Sequence, residues 1–252
     1  MNTTTAHLHR VTRNFLHDLE PFDWETDLLS TARIAEKCLR RLAEDKRLFR
    51  ELIEAASEDP YVWSKCEEDV VEDKIVLWDD VERNIRIRLR MSTRRQERLA
   101  HNHRFSFTNL VLRGTYIHWV YKPLATFDET TALEDVEEVM LHEDRANDCF
   151  TIHHSTLHST PFLEPHTISL VLRGNPIKER APVMFKEARE RDQFRAEQSK
   201  RGGDIEPSIA AKGDMFWRVG EDQESVERRG ERQMSRERHS YWCRQLGEYG
   251  LI

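Results

Sequence analysis

The chain has 252 residues, 38% hydrophobic and 34% charged, with six Trp, eleven Phe and five Tyr to fill a core. That excludes a disordered chain and allows one large domain or a core with helical additions. A formal net charge of −7 argues against a general nucleic-acid binder, which needs a basic face, while allowing a local basic pocket. No apolar run approaches the roughly 20 residues that span a bilayer, and the N-terminal segment lacks the apolar run of a secretion signal. Cytoplasmic residence without membrane attachment is the expectation. Cys38, Cys66, Cys149 and Cys243 are scattered with no CxxC pair, so reduced thiols are expected rather than a zinc knuckle or disulfides.

Residues 12–58 read as helical. Leu28, Leu29, Ala32, Ala35, Leu39, Leu42 and Leu48 recur at three- and four-residue spacing with charges between them. Asp23 is a candidate cap, and Asp59-Pro60 a stop. From Lys74 the period changes to two. Lys74–Trp78 is a short strand, and Asn84–Met91 alternates strictly, with Ile85, Ile87, Leu89 and Met91 on one side and Arg86, Arg88 and Arg90 on the other. Further strands are expected at Phe105–Arg113, Thr115–Tyr121, Val136–His142, Phe150–His158 and Thr167–Arg173, with Gly114 and Gly174 as punctuation. The charged stretch Arg189–Gly213 reads as a solvated loop or lid, and residues 222–247 as helix. LVLRG occurs at 110–114 and again sixty residues later at 170–174, which suggests two related halves of one β-structure. The expected plan is an N-terminal helical layer over 1–73, a β-barrel over 74–185, and a loop and C-terminal helix over 186–252.

The chemistry lies in the histidines. On a strand His101 and His103 point to one side, so both imidazoles can share one metal ion. A third ligand must come from elsewhere. His158, just before the second LVLRG segment, is the best candidate, with His154 four residues earlier as the alternative. Tyr116 and His118 share a face of the next strand and are candidate catalytic groups. Tyr116, Arg88 and Arg90 are candidate substrate contacts, because a guanidinium can hold a carboxylate bidentately. Ser106, Thr108 and Thr156 are candidates for fixing the imidazole tautomers.

The segment His101–Gly114 (HNHRFSFTNLVLRG) resembles the first motif of the cupin superfamily, in which HxH is followed by a Glu and then a Gly. His158 through Gly174 resembles the second motif, which supplies the later His. The resemblance covers about residues 74–185. The usual Glu is missing, since Phe107 and Thr108 stand in its place. The pattern is therefore similar to the three-His variant of the cysteine dioxygenase group. That likeness implies a mainly β cupin-type barrel with helices added at both ends. It also implies Fe(II) held by three imidazoles, and oxidation of a small amino-acid- or amine-derived substrate with O₂. Two alternatives stay open: a Zn(II) cupin catalysing a redox-neutral rearrangement or lyase step in specialised biosynthesis, and a non-enzymatic barrel that binds a small molecule. A homodimer is compatible with exposed barrel edges, and nothing in the sequence requires one.

Overall fold

The computed structural model describes residues 22–69, 71–80, 82–93, 99–185, 187–200, 213–219, 224 and 226–252. Two helices open it, α1 (Leu28–Glu44) and α2 (Lys46–Ala56), followed by the single turn α3 (Pro60–Trp63). Asp27, not Asp23, caps α1 by accepting from the Ser30 amide at 3.1 Å. Asp23 instead holds the preceding turn through the Glu25 and Thr26 amides. Asp59 caps α3, with Pro60 at its first position, so this pair starts a helical turn where a stop was expected. The part of the expected helix over 12–21 lies outside the described residues.

Ten strands follow: β1 (Glu72–Asp80), β2 (Ile85–Ser92), β3 (Phe107–Arg113), β4 (Thr115–Pro123), β5 (Val136–Arg145), β6 (Cys149–Ile152), β7 (Leu157–Leu163), β8 (Ile168–Gly174), β9 (Arg180–Met184) and β10 (Met215–Val219). One sheet has the order β1-β2-β8-β3-β6. A second has the order β5-β4-β7, and β9 pairs with β10. All the paired strands are antiparallel. His101 bridges both His158 on β7 and Val183 on β9, which joins the last two groups into one layer. This is the double-sheet jelly roll of a cupin-type barrel, with one strand reduced to a single bridging residue. The two LVLRG copies are antiparallel neighbours, with Leu110 opposite Leu170.

The main hydrophobic core lies outside the barrel. Ile85, Ile87, Leu89, Met91, Leu110, Ile168, Leu170 and Leu172 pack with Leu39, Phe49, Leu52 and Ile53 of α1 and α2. Fully burying such a side chain contributes about 1.5–3 kcal/mol, so the helices take the apolar face of the larger sheet. The same core includes Trp242 and Leu246 of the C-terminal helix α6 (Arg236–Glu248). Its Trp242 Nε1 donates to buried Asp73 of β1 at 2.6 Å, and Arg238 Nε donates to the same carboxylate oxygen at 2.5 Å. The alternation of β2 therefore turns Arg86, Arg88 and Arg90 inward. Smaller apolar clusters sit between the sheets: Phe107, Ile152 and Val171, and then Val111, Tyr116 and Leu163.

Three expectations need correction. Phe150–His158 is not one strand, because a turn closed by the Thr156 amide on the His153 carbonyl at 2.9 Å separates β6 from β7. Arg189–Gly213 is not wholly loop. Helix α4 (Ala188–Lys200) occupies its start, because Ala, Arg, Glu and Gln favour helix without any apolar stripe. Its Phe194 stacks on Phe216, with ring centroids 5.0 Å apart, and residues 201–212 lie outside the described set. The expected helix over 222–247 is two, α5 (Val226–Glu231) and α6, parted by a bridge between Gln233 and Glu67.

Candidate metal centre and its cavity

His101 and His158 exchange backbone hydrogen bonds, amide to carbonyl, at 2.8 and 2.9 Å. Residues paired directly across an antiparallel ladder project to the same face, and their rings stand 4.7 Å apart. His103 does not lie on a strand as expected. The chain past His101 is irregular, pinned by Asn102 N to the Pro182 carbonyl and by Ile177 N to the Arg104 carbonyl. It nonetheless returns the imidazole of His103 to the same point. Ligand nitrogens of His101, His103 and His158 all lie within 4.8 Å of one another.

The donor set fits a divalent ion. Nitrogens about 2.0–2.1 Å from a metal are separated by about 2.9 Å at cis positions of an octahedral site and about 3.3–3.4 Å in a tetrahedral one, and Nε2 of His103 lies 2.8 Å from Nε2 of His158, nearer the octahedral value. His101 Nδ1 is 2.7 Å from the Leu99 carbonyl. A carbonyl oxygen only accepts, so Nδ1 carries the proton and Nε2 keeps its lone pair for a metal. Burial, reinforced by His101 and His158 beside it, holds His103 well below the ordinary imidazole range, in the neutral form that a ligand requires.

His154 is not part of this cluster. It sits in the β6–β7 turn, with Nδ1 3.4 Å from Glu25 and its ring 3.9 Å from that of His153. Neither Ser106 nor Thr108 touches a clustered imidazole. Ser106 Oγ accepts from the His154 amide at 3.0 Å, and Thr108 bonds Thr151 at 2.8 Å. The orienting group at His101 is a backbone carbonyl, which no residue type in the sequence marks.

Tyr116 and His118 stand in the barrel interior. His118 lies 5.6 Å from His158 by ring centroid, and its Nδ1 is 2.8 Å from Oδ2 of buried Asp144. Asp144 also bonds His142 Nε2 at 3.0 Å. This carboxylate was missed in the sequence, and its place opposite Tyr116 in the β4–β5 ladder is the only signal for it. The Tyr116 hydroxyl bonds Ser169 at 3.0 Å. Tyr116 does not line the cavity described next, so its expected substrate contact is not seen. Packing against Val111 and Leu163 keeps it between the sheets.

His101 and His103 open on a cavity of about 770 Å³, within the ordinary range for small-molecule sites. Arg86, Arg88 and Arg90 all line it. Arg86 meets Asp79 through two bonds of 3.0 Å, and Arg90 meets buried Glu72, with Nε at 3.0 Å from Oε2. No carboxylate among the described residues forms an ion pair with Arg88, and its Nε has no hydrogen-bond partner among them. Burial, with Arg90 close by, pushes the Arg88 guanidinium down to about 10, so it is still a cation at neutral pH. It lies 5.6 Å from the centroid of Phe105, Arg173 lies 4.4 Å from the same ring, and that ring is 6.0 Å from His103.

No protein-family model and no curated protein matches the chain. Solved structures are similar to it over less than half its length. KdgF from Halomonas sp. is 16% identical over 44% of this chain and 88% of that one, with a TM-score of 0.33. An RmlC-like cupin from Shewanella frigidimarina is 13% identical over 45% and 86%, with a TM-score of 0.33. Streptomyces Pac13, described as a nucleoside dehydratase, is 13% identical over 46% and 78%, with a TM-score of 0.32.

Proposed function

We propose that the chain is a metal-dependent enzyme whose ligands are His101, His103 and His158, and that it is a non-haem Fe(II) oxygenase acting on a small amino-acid- or amine-derived metabolite. The observation that carries this reading is the convergence of three imidazoles, with no carboxylate among them, two of which (His101 and His103) line a ligand-sized cavity. When bound, Fe(II) supplies a redox-active centre with positions left over for substrate and O₂. The chain's own residues do the rest. The Leu99 carbonyl fixes the His101 ring, and the His101–His158 backbone pair fixes the distance between two ligands. Phe107, packed 4.8 Å from the His103 ring, and the interior cluster of Phe107, Ile152 and Val171 keep water from the inner side. Asp144 orients His118 beside His158, where His118 can hold or pass a proton.

Elemental analysis of protein purified without added metal tests this. About one iron per chain, lost in both His101→Ala and His103→Ala and accompanied by O₂ uptake with an amino-acid or amine substrate, is the expected result. One zinc and no O₂ uptake moves the function to the redox-neutral alternative, for which three imidazoles are equally a known donor set. Full metal retained in both variants removes the site assignment.

A further inference from the structure

Two further histidines meet away from the metal centre. His153 and His154 are consecutive, and on a strand they would point to opposite faces. They lie instead in the β6–β7 turn, closed by the Thr156 amide on the His153 carbonyl, which brings their rings to 3.9 Å between centroids. Glu25, from the turn before α1, reaches the same point. Ligand atoms of Glu25, His153 and His154 all lie within 4.8 Å of one another, with the imidazoles half-buried and the carboxylate exposed.

Each side of this meeting is held by its own contacts. The Glu25 and Thr26 amides donate to Asp23 Oδ1 at 3.2 and 2.9 Å, and Trp24 between them is buried in the main core. On the other side the His154 amide donates to Ser106 Oγ at 3.0 Å, and Ser155 Oγ lies 2.7 Å from Nδ1 of His153. The Lys178 ammonium nearby is engaged by the His154 carbonyl at 2.9 Å and by Asn102 Oδ1 at 3.1 Å. Between the two sides, Glu25 Oε1 stands 3.4 Å from His154 Nδ1. That is longer than the about 2.7–3.2 Å of an N–H···O hydrogen bond. It matches the about 3.3–3.4 Å that separates two ligands of a tetrahedral ion.

We propose that Glu25, His153 and His154 form a second, accessory site for Zn(II), whose ion clamps the segment leading into α1 onto the β6–β7 turn. Two imidazoles and a carboxylate suit zinc, whereas Ca(II) and Mg(II) take oxygen ligands. Three protein ligands leave the fourth position to water. Because one ligand is exposed and comes from a separate segment, this site is weaker than the centre and exchanges during purification. Protein isolated without added metal therefore keeps the metal of the centre alone, whichever metal that is.

The test is calorimetric titration with Zn(II) of His103→Ala, which lacks one ligand of the centre. One equivalent should bind, and Mg(II) at the same concentration should not. Adding Glu25→Gln or His153→Ala should weaken that equivalent at least about tenfold. Zn(II) should also raise the thermal midpoint, because it binds only where the two segments are folded together, and Glu25→Gln should cancel the rise. If His103→Ala fails to fold, the same comparison is made on the weaker equivalent of the wild type. Undiminished zinc binding in either added variant, or no zinc bound beyond the centre, overturns the inference. Wild-type protein that binds only the equivalent lost with Glu25→Gln sinks the metal centre and leaves this site standing.

Discussion

His154 and His158 are four residues apart, but only one faces the barrel. His158 is the second residue of β7 and is paired through its backbone to His101, while His154 belongs to the turn before it. Changes to groups that merely orient a ligand typically cost 10–100-fold in metal affinity, so His158→Ala should exceed that loss, whereas His154→Ala should leave affinity within a few-fold of wild type. A competitive chelator titration measures both, and the reverse order would move the third ligand to His154. The HxH spacing pointed to His101 and His103, although the strand parity it was argued from does not hold, because His103 lies off the strand and an irregular turn brings its ring back. The choice of His158 was legible from its place before LVLRG. The Leu99 carbonyl and the Asp144 carboxylate were not legible, because each acts through a fold-dependent meeting of distant segments. The thiols follow a simpler rule. Burial pushes Cys38, Cys66 and Cys149 up to about 12 each. Native protein at about pH 8 should therefore resist iodoacetamide at all three, and react at them once unfolded in urea. Mass-spectrometric counting of adducts checks this, and rapid labelling of the folded chain at any of the three contradicts it.

At the scale of elements, the alternation in NIRIRLRM gave β2 and its two faces but could not tell which face is inside. An ordinary sandwich would turn Ile85, Ile87 and Leu89 toward the opposite sheet. Here α1 and α2 supply a larger apolar surface on the other side, and the arginines are left to the interior. The helical layer is thus what makes the barrel polar inside. Gly174, at the end of β8, shows how closely that layer fits. A β-carbon there would stand 2.6 Å from Trp24 Cδ1, within the segment leading to α1. Gly174→Ala should therefore cost about 1–3 kcal/mol, read as a lower urea midpoint with an unchanged slope. A neutral result would mean that the Trp24 segment does not pack on the end of β8. Helix α4 escaped the periodicity argument because it has no apolar stripe and is held by Phe194 against Phe185 and Phe216 and by Arg191 and Arg195 on Asp214 and the Gly213 carbonyl.

The whole molecule should be sensitive to mild acid. Burial holds His239 and His166 below the ordinary imidazole value, and His166 also feels Arg113 and Arg238. His239 is buried, with Nε2 2.9 Å from the Ile53 carbonyl. Unfolded imidazoles titrate near about 6.5. Below that value the unfolded chain takes up protons that the folded chain refuses. Stability from these groups is therefore complete above about pH 6.5 and falls as pH drops toward their lower folded values. Urea midpoints at about pH 7.5 and about pH 5.5 should differ, and His239→Gln should reduce the difference; an unchanged difference in the variant would remove His239 from this account. The LVLRG echo belongs to this scale as well. The two copies lie side by side at the middle of the larger sheet, one from each half of the roll, so the duplication visible in sequence is a pairing in space.

One ladder contact reaches further than its size suggests. Among the described residues, the seam between β7 and β9 runs through His101: its amide and carbonyl bond His158 of β7, while the adjoining Asn102 amide and Ala100 carbonyl bond Pro182 and Met184 of β9, so one ligand sits at the seam of the second sheet. A shortened or recombined chain ending after β8 would still encode all three imidazoles, yet its His101 would have backbone support on one side only. Inheritance of the centre by any descendant of this chain thus requires transmission of the β9–β10 pair along with the histidines, and amide exchange at Met184, whose N–H donates to the Ala100 carbonyl, would be an early sign that the seam had loosened.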